Sequence, residues 1–296
     1  MAINRHSLEQ VQRIPVQGGD VEIRLYQPHG EPERTRTPLL VTHGGPGGSS
    51  VGLYDALHAL ADQRPLIFYD QLGSFSSPAE LLPEQRTLER FAFEPLQILN
   101  RLEIERTSLL GHSWGGSVMT QFCLNHPERV SALVLSSPLL STRRWIEDCN
   151  ALVDKIKSDL GKVADIDAEF ERRHFSRNNQ FINTLLAERK RSNTTLYNQM
   201  WGSSEFEHSG VLGNLDFFPS LNQISIPTLL ICGEYDTATP RTLQDAKDQI
   251  GTNAQLKVLL DAGHKTYIDN NADYIEVVKT FLDSEISLQE RCPAFL

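Results

Sequence analysis

Long apolar segments are missing from this sequence, and basic residues are outnumbered. No apolar run approaches the roughly 18–20 residues that a membrane-crossing helix needs, and the amino-terminal stretch MAINRHSLEQVQRIPV has no apolar core of an export signal. The 28 lysines and arginines face 38 acidic residues, which gives a formal net charge of −10. Phosphate binding needs a basic face. We therefore expect a cytoplasmic protein with no nucleic-acid partner and no membrane partner.

Cysteine is also scarce. The four cysteines lie far apart, form no CxxC pair and have no histidine at metal-binding spacing: Cys123, Cys149, Cys232 and Cys292. Reduced thiols are the simplest interpretation for a protein in a reducing compartment. We predict no metal site and no other cofactor.

Short β-branched runs bounded by turn residues recur near both ends of the chain. VQRIPV and VEIRLY flank Gly18-Gly19, which is typical of a hairpin. The remaining runs are continuously apolar, as strands covered on both faces are: PLLVTHGG (38–45), PLIFYDQ (65–71), TSLLGHS (107–113), SALVLSSP (131–138), IPTLLICG (226–233) and LKVLLDAG (256–263). Helix-like stretches separate several of them. This alternation predicts an α/β fold with a mostly parallel central sheet flanked by helices.

The alternation stops after the sixth predicted strand. Between Pro138 and Ile226 the pattern is helical, beginning with the amphipathic stretch RRWIEDCNALVDKIKSDL (143–160), and no strand pattern is present. We interpret this region as a helical cap inserted into the core. The predicted domains are residues 1–138 (first part of the core), 139–225 (cap) and 226–296 (second part of the core).

GHSWGG (111–116) contains Gly-x-Ser-x-Gly between a predicted strand and a predicted helix. In that setting the pattern is typical of a nucleophile elbow, a tight turn that leaves the serine hydroxyl protruding above the sheet. The alternative is an incidental serine in a glycine-rich turn. We predict that Ser113 is a catalytic nucleophile.

A serine nucleophile needs a general base, and the base needs an orienting acid. On α/β-hydrolase folds the acid and then the histidine follow the serine along the chain. Asp236 and His264 each come directly after a predicted strand, at the carboxyl ends where open α/β sheets place active sites. Glu234 lies two residues earlier and is expected to be solvated. The predicted triad is Ser113, Asp236 and His264.

An oxyanion hole should accompany this triad. The backbone N–H of Trp114, directly after the nucleophile, is one predicted donor. The glycine-rich HGGPGG (43–48) should supply the second, since glycines let the backbone approach a substrate. A phosphate-binding loop is the weaker interpretation, because HGGPGG lacks the spacing and the lysine of GxxxxGK[ST].

With these motifs in order, the chain resembles the proline iminopeptidase family of α/β-hydrolases. The resemblance covers nearly the whole chain and rests on HGGPGG, YDQLGS (69–74), GHSWGG, GEYD (233–236), the late His264 and MWGSSEF (200–206). It implies an α/β-hydrolase fold and a serine-dependent exopeptidase that removes amino-terminal residues, often proline. It also implies that Gly45 is the loop donor of the oxyanion hole.

The motif MWGSSEF carries a carboxylate inside the predicted cap. The resemblance implies that Glu205 binds the free amine of the substrate, and we expect Trp201 of the same motif to border the substrate. The alternative for Glu205 is an ion pair with one of the cap arginines, such as Arg172, Arg173 or Arg177.

Two positions depart from the family pattern. Thr237 stands where some members have a second amine-binding glutamate, and Phe75 replaces a glycine in DQLGSFSS. We predict that both residues lie near the substrate. Both changes favour a less charged substrate.

Three functions are compared on these residues. The leading hypothesis is a serine aminopeptidase that acts on short peptides or amino-acid amides. An amidase, esterase or lactone hydrolase acting on a small metabolite would use the same triad. A non-catalytic receptor on this fold predicts a damaged triad, and none is visible. An epoxide hydrolase or dehalogenase would need an aspartate nucleophile in place of Ser113.

Overall fold

The centre of the molecule is an eight-stranded sheet, seen in a computed structural model that describes residues 7–28, 36–177 and 182–289. Its strands in chain order are β1 (Ser7–Val16), β2 (Gly19–Pro28), β3 (Leu39–Thr42), β4 (Leu66–Tyr69), β5 (Thr107–His112), β6 (Val130–Ser136), β7 (Thr228–Gly233) and β8 (Ala254–Leu259). All eight overlap the runs identified in the sequence.

The spatial order of the strands is β1-β2-β4-β3-β5-β6-β7-β8. The β1–β2 hairpin and the β2–β4 pair are antiparallel, and the remaining five pairs are parallel. The hairpin turns at Gly18, whose φ of 100° lies in the region that favours glycine. The predicted mostly parallel sheet is therefore confirmed.

Helices cover both faces of the sheet. The elements of the core are α1 (Val51–Leu57), α2 (Leu88–Arg101), α3 (Trp114–Asn125), α8 (Pro240–Ile250), α9 (Thr266–Asp269) and α10 (Asn271–Gln289). Helices α2, α3 and α8 pack on one face and α1 and α10 on the other. The side chains of β3 show the two-residue period, since Leu39 and Val41 join one apolar cluster and Leu40 joins the other.

Helices also fill the interval between β6 and β7. They are α4 (Thr142–Leu160), α5 (Ile166–Phe170), α6 (Ile182–Lys190) and α7 (Thr194–Met200), with a π-helical turn at Glu171–Phe175. The described residues of this interval contribute no strand to the sheet. The helical insertion after the sixth strand is confirmed, and we call residues 139–225 the cap. The limits of the cap remain a prediction.

Each described cysteine is a buried free thiol: Cys123, Cys149 and Cys232. The predicted reduced state of Cys292 lies outside the described residues. Over the described ranges, no helix combines the length and the apolar character needed to cross a membrane.

Candidate active site

The link between β5 and α3 is a strained turn centred on Ser113. Its φ of 55° and ψ of −120° are sparsely populated for a residue with a side chain. A Cβ added to Gly111 would lie 2.3 Å from the carbonyl oxygen of Gly115, and one added to Gly115 would lie 2.5 Å from the carbonyl oxygen of Thr42. Both glycines are therefore required for close packing, and the turn has the form of the predicted nucleophile elbow.

A buried acid–base pair lies at the carboxyl ends of β7 and β8. The Nδ1 atom of His264 is 2.9 Å from Oδ1 of Asp236. That carboxylate also accepts hydrogen bonds from Ser137 Oγ (2.6 Å), Gly233 N (3.1 Å) and Ala238 N (2.9 Å). With Asp236 held in this way, the His264 ring is oriented with Nδ1 toward the acid. Its Nε2 atom is then left for proton transfer.

The cap contributes to the position of His264. The backbone N–H of His264 donates to the carbonyl of His174 at 2.7 Å. The His264 ring packs against Trp145 and Phe175, with ring centroids 5.3 and 4.8 Å away. The ring of His112 lies 4.8 Å from it on the core side. The sequence pattern did not single out His174, because its role is a backbone contact made across the fold.

Glu234 is placed away from the base. It is exposed, and its Oε2 atom accepts a hydrogen bond from the backbone of Asp261 at 3.3 Å. Of the two carboxylates in GEYD, the structure brings only Asp236 to His264.

Both predicted oxyanion donors belong to segments beside Ser113. Trp114 is the first residue of α3, and the first backbone N–H groups of a helix have no acceptor within the helix. Gly45 lines the same cavity as Ser113 and has a φ of 62°. A Cβ on the preceding Gly44 would lie 2.9 Å from the Cβ of Ser113, so the loop runs directly against the nucleophile turn. The oxyanion role of these donors remains a prediction.

Gln71 ties these two segments together. Its Nε2 donates to the carbonyl of His43 at 3.0 Å, and its Oε1 accepts from the indole of Trp114 at 2.8 Å. Its backbone N–H also donates to Nε2 of His43 at 3.0 Å. The sequence pointed to Gln71 only through the motif YDQLGS, and the structure gives that glutamine a positioning task.

A cavity of about 590 Å³ lies between the sheet and the cap. Ser113, His264 and Gly45 line it from the core, while Tyr197 and Glu205 line it from the cap. Its volume lies within the range of pockets that enclose a small ligand.

Glu205 lies deep in the protein yet keeps accessible surface, because it borders the cavity. The hydroxyl of Tyr197 donates a hydrogen bond to its Oε1 atom at 2.5 Å. Burial raises the pKa of Glu205 above its ordinary value, although the hydrogen bond from the Tyr197 hydroxyl and the neighbouring His264 act in the opposite direction. No lysine or arginine of the described residues forms an ion pair with this carboxylate.

The alternative partners of Glu205 are engaged elsewhere. Arg172 and Arg173 both bond to Glu169, and Arg177 donates to the backbone carbonyl of Arg173 at 3.1 Å. The arginine pairing considered for Glu205 is therefore wrong.

Glu205→Gln should make the free protein more stable at neutral pH. Because burial raises the pKa of Glu205, the ionised form costs more free energy in the folded chain than in the unfolded chain. That cost is absent below the unfolded pKa of about 4.3 and complete above the folded pKa. Glutamine never ionises and can still accept the Tyr197 hydrogen bond. We expect the Tm to rise by about 2 °C or more at pH 7.5 and the gain to shrink toward pH 4.5, measured by calorimetry.

Glu207→Gln is the control for this measurement, since Glu207 is exposed two residues away. It should leave the Tm unchanged at both pH values. An unchanged or lower Tm of Glu205→Gln at pH 7.5 would mean that the Tyr197 hydrogen bond outweighs the cost of burying the charge.

Three residues predicted to border the substrate lie outside the cavity lining. Trp201 is buried, and its indole donates to the carbonyl of Ser204 at 3.0 Å, which supports the loop that carries Glu205. Thr237 is also buried, and its hydroxyl lies 3.1 Å from Nδ1 of His264, because the side chain turns toward the acid–base pair.

The third of these residues is Phe75, which is 63% exposed. It belongs to a turn closed by a 2.8 Å hydrogen bond from Gly73 N to the carbonyl of Ser77, and its ring lies on the protein surface. None of Trp201, Thr237 and Phe75 lines this cavity, and their contact with a substrate stays a prediction. Glu205 alone of that group lines the cavity.

Known proteins with similar sequences identify the family of this chain. The sequence model of the alpha/beta hydrolase fold family matches residues 37–271. The proline iminopeptidase of Heyndrickxia coagulans is 33% identical over 287 residues, covering 92% of this chain and 98% of that protein. This chain belongs to the proline iminopeptidase family of α/β-hydrolases. It is accordingly a hydrolase, and the predicted family and fold are confirmed.

Solved structures agree with this membership. The proline iminopeptidase of Mycobacterium smegmatis matches with a TM-score of 0.80 at 27% identity, covering 93% of this chain and 98% of that one. An esterase from Exiguobacterium antarcticum matches with a TM-score of 0.71 at 18% identity, covering 93% and 100%. At that identity the likeness to the esterase shows the fold alone.

Proposed function

We propose that this member of the proline iminopeptidase family removes the amino-terminal residue, proline or another small apolar residue, from short peptides or amino-acid amides. Its named relatives are proline iminopeptidases. The observation that carries the proposal is Glu205, a carboxylate that lines the cavity and forms no ion pair with a lysine or arginine of the described residues. A substrate ammonium or proline imino group would supply that missing charge.

The proposed mechanism uses the triad and a covalent intermediate. Ser113 Oγ attacks the carbonyl carbon of the first residue while His264 takes its proton, and Asp236 holds the imidazolium in place. The N–H groups of Gly45 and Trp114 stabilise the tetrahedral oxyanion. The C–N bond breaks as His264 returns the proton to the leaving amine. Water, activated by His264, then attacks the acyl ester, which releases the amino acid and restores Ser113.

Glu205 sets the position of the first residue in this mechanism. Tyr197 engages Oε1 of the carboxylate, so Oε2 is the oxygen offered to the substrate amine. Because the amine and the scissile carbonyl belong to the same residue, a carboxylate in the cavity that Ser113 also lines would restrict cleavage to the first peptide bond.

An amidase, esterase or lactone hydrolase is a second candidate, and the environment of Glu205 is the observation that favours it. Burial raises the pKa of Glu205, and a carboxyl group that accepts a proton more readily is less suited to binding a cation. Thr237 adds no second carboxylate to the cavity. A neutral substrate would use the same Ser113, Asp236 and His264.

A substrate panel tests the two candidates directly. We would assay wild type and Ser113→Ala on aminoacyl β-naphthylamides of proline, alanine and leucine, on N-acetyl-prolyl β-naphthylamide and on aryl esters. The aminopeptidase proposal expects hydrolysis of the free-amine compounds and little of the acetylated one. Equal turnover of acetylated and free compounds, or turnover of esters alone, would favour the second candidate.

We also propose a cytoplasmic location for the enzyme. The buried free thiols Cys123, Cys149 and Cys232 are compatible with a reducing compartment. Short peptides and amino-acid amides, as products of intracellular protein breakdown, would be present in that compartment.

A further inference from the structure

A second polar group lines the cavity and takes no part in the proposed mechanism. It consists of Glu188 on α6 of the cap and of Lys265 and Tyr267, which follow the base His264. Glu188 accepts from Lys265 Nζ at 2.8 Å through Oε2 and from Tyr267 Oη at 2.9 Å through Oε1. Lys265 Nζ also donates to Tyr267 Oη at 3.0 Å. We call these three residues the lysine cluster.

One N–H group of the Lys265 ammonium is not used within the lysine cluster. A lysine ammonium has three N–H groups and no acceptor. Two of them bond to Glu188 and Tyr267, and no third partner is found among the described residues. The side chain of Lys265 is 20% exposed, and the residue lines the cavity, so the remaining N–H is available to a molecule inside it.

The lysine cluster and the Glu205 region occupy separate neighbourhoods of the cavity. Glu205 accepts its hydrogen bond from Tyr197, whereas Lys265 bonds to Glu188 and Tyr267. If the amine of the first residue binds Glu205, the rest of the substrate extends beyond the scissile bond toward His264, which protonates the leaving amine. Lys265 is the next residue in the chain, and its backbone N–H is fixed by the carbonyl of Phe175 at 2.8 Å.

We propose that Lys265 is a specificity-determining residue that donates a hydrogen bond to an oxygen of the released residue. This inference rests on the proposed aminopeptidase function. The oxygen would be the free carboxylate of a dipeptide or the main-chain carbonyl of a longer peptide or amide. Glu188 balances the charge of Lys265, so the cluster accepts neutral and anionic oxygens alike. The enzyme would thus prefer peptides and dipeptide amides (residue–residue–NH₂) to substrates whose leaving group has no such oxygen.

Lys265→Met tests the proposal on three substrates: prolyl-alanine, prolyl-alanine amide and prolyl β-naphthylamide, whose leaving group has no oxygen. We expect kcat/KM to fall about tenfold for the two alanine compounds and to stay within about twofold for the naphthylamide. A loss of kcat/KM confined to prolyl-alanine would identify the free carboxylate as the acceptor. A loss on both alanine compounds would show that the main-chain carbonyl also accepts. The control is Lys257→Met, since Lys257 is exposed on β8 and should change none of the three.

Glu188→Gln provides an independent test that keeps Lys265 and can preserve its hydrogen bond. Without the balancing charge, the ratio of kcat/KM for prolyl-alanine to that for prolyl-alanine amide should rise several-fold through a lower KM. Equal losses on all three substrates in Lys265→Met, or no loss on any, would overturn the proposal, as would an unchanged ratio in Glu188→Gln. A wild-type enzyme that cleaves none of the three contradicts the proposed function itself.

Discussion

Replacing Ser113 by alanine is expected to lower kcat by about 10⁴- to 10⁶-fold with the fold intact. The side chain protrudes from a turn whose geometry depends on Gly111 and Gly115, so the loss of one oxygen removes the nucleophile without disturbing the core. His264→Ala should have an effect of similar size. The double variant should be little worse than either single one, because members of a triad act as a unit. Steady-state kinetics with circular dichroism as the check of folding would measure this.

The controls for the triad come from groups nearby. Ser203→Ala removes another serine that lines the cavity and should keep wild-type turnover. Asp236→Asn should lower kcat by about 10⁴-fold, because the amide no longer holds His264 in the required tautomer. Glu234→Gln should be close to wild type, since Glu234 bonds to Asp261 and not to the base. Wild-type turnover in Asp236→Asn with loss in Glu234→Gln would refute the assignment of the acid.

Glu205→Gln should lower kcat/KM about ten- to a hundredfold for substrates with a free amine. The change removes a charge-assisted hydrogen bond worth roughly 1.5–3 kcal/mol. N-acetylated and simple ester substrates offer no cation and should be nearly unaffected. Measured on the same panel of prolyl β-naphthylamide and its acetylated form, equal losses on both would mean that Glu205 supports the cap and does not recognise the amine.

The pH profile gives a second measure of Glu205. Burial raises its pKa, so the carboxylate should become protonated, and amine binding should be lost, at a pH above the ordinary range of glutamate. As the pH decreases, activity on free amines should therefore fall at a higher pH than protonation of an ordinary carboxyl group would cause. This acidic limb of the pH profile should be missing in Glu205→Gln. Tyr197 lowers the pKa of Glu205 through its hydrogen bond. In Tyr197→Phe the limb should thus move to higher pH.

The fold and a candidate triad could be predicted from short-range patterns. Continuous β-branched runs separated by helical stretches predict a mostly parallel sheet, because strands covered on both faces must be apolar throughout. The carboxyl ends of parallel strands meet at one edge of the sheet. Ser113, Asp236 and His264, each at the end of a strand, were therefore expected to converge, and the structure joins His264 to Asp236 at 2.9 Å.

Only the tertiary structure shows which side chains line the cavity, because the direction of a side chain in a loop is decided by packing against distant segments. Thr237 follows Asp236 directly, yet its hydroxyl turns toward His264. Phe75 lies in a motif loop, yet its ring is on the surface. In the other direction, Glu188, Lys265 and Tyr267 carry no motif, and Glu188 is separated from the others by nearly eighty positions in the chain. They meet because α6 of the cap packs against α1 of the core. Sequence by itself determined the candidate triad, because its members follow the ends of parallel strands, whereas the packing of the cap on the core decided which other groups line the cavity.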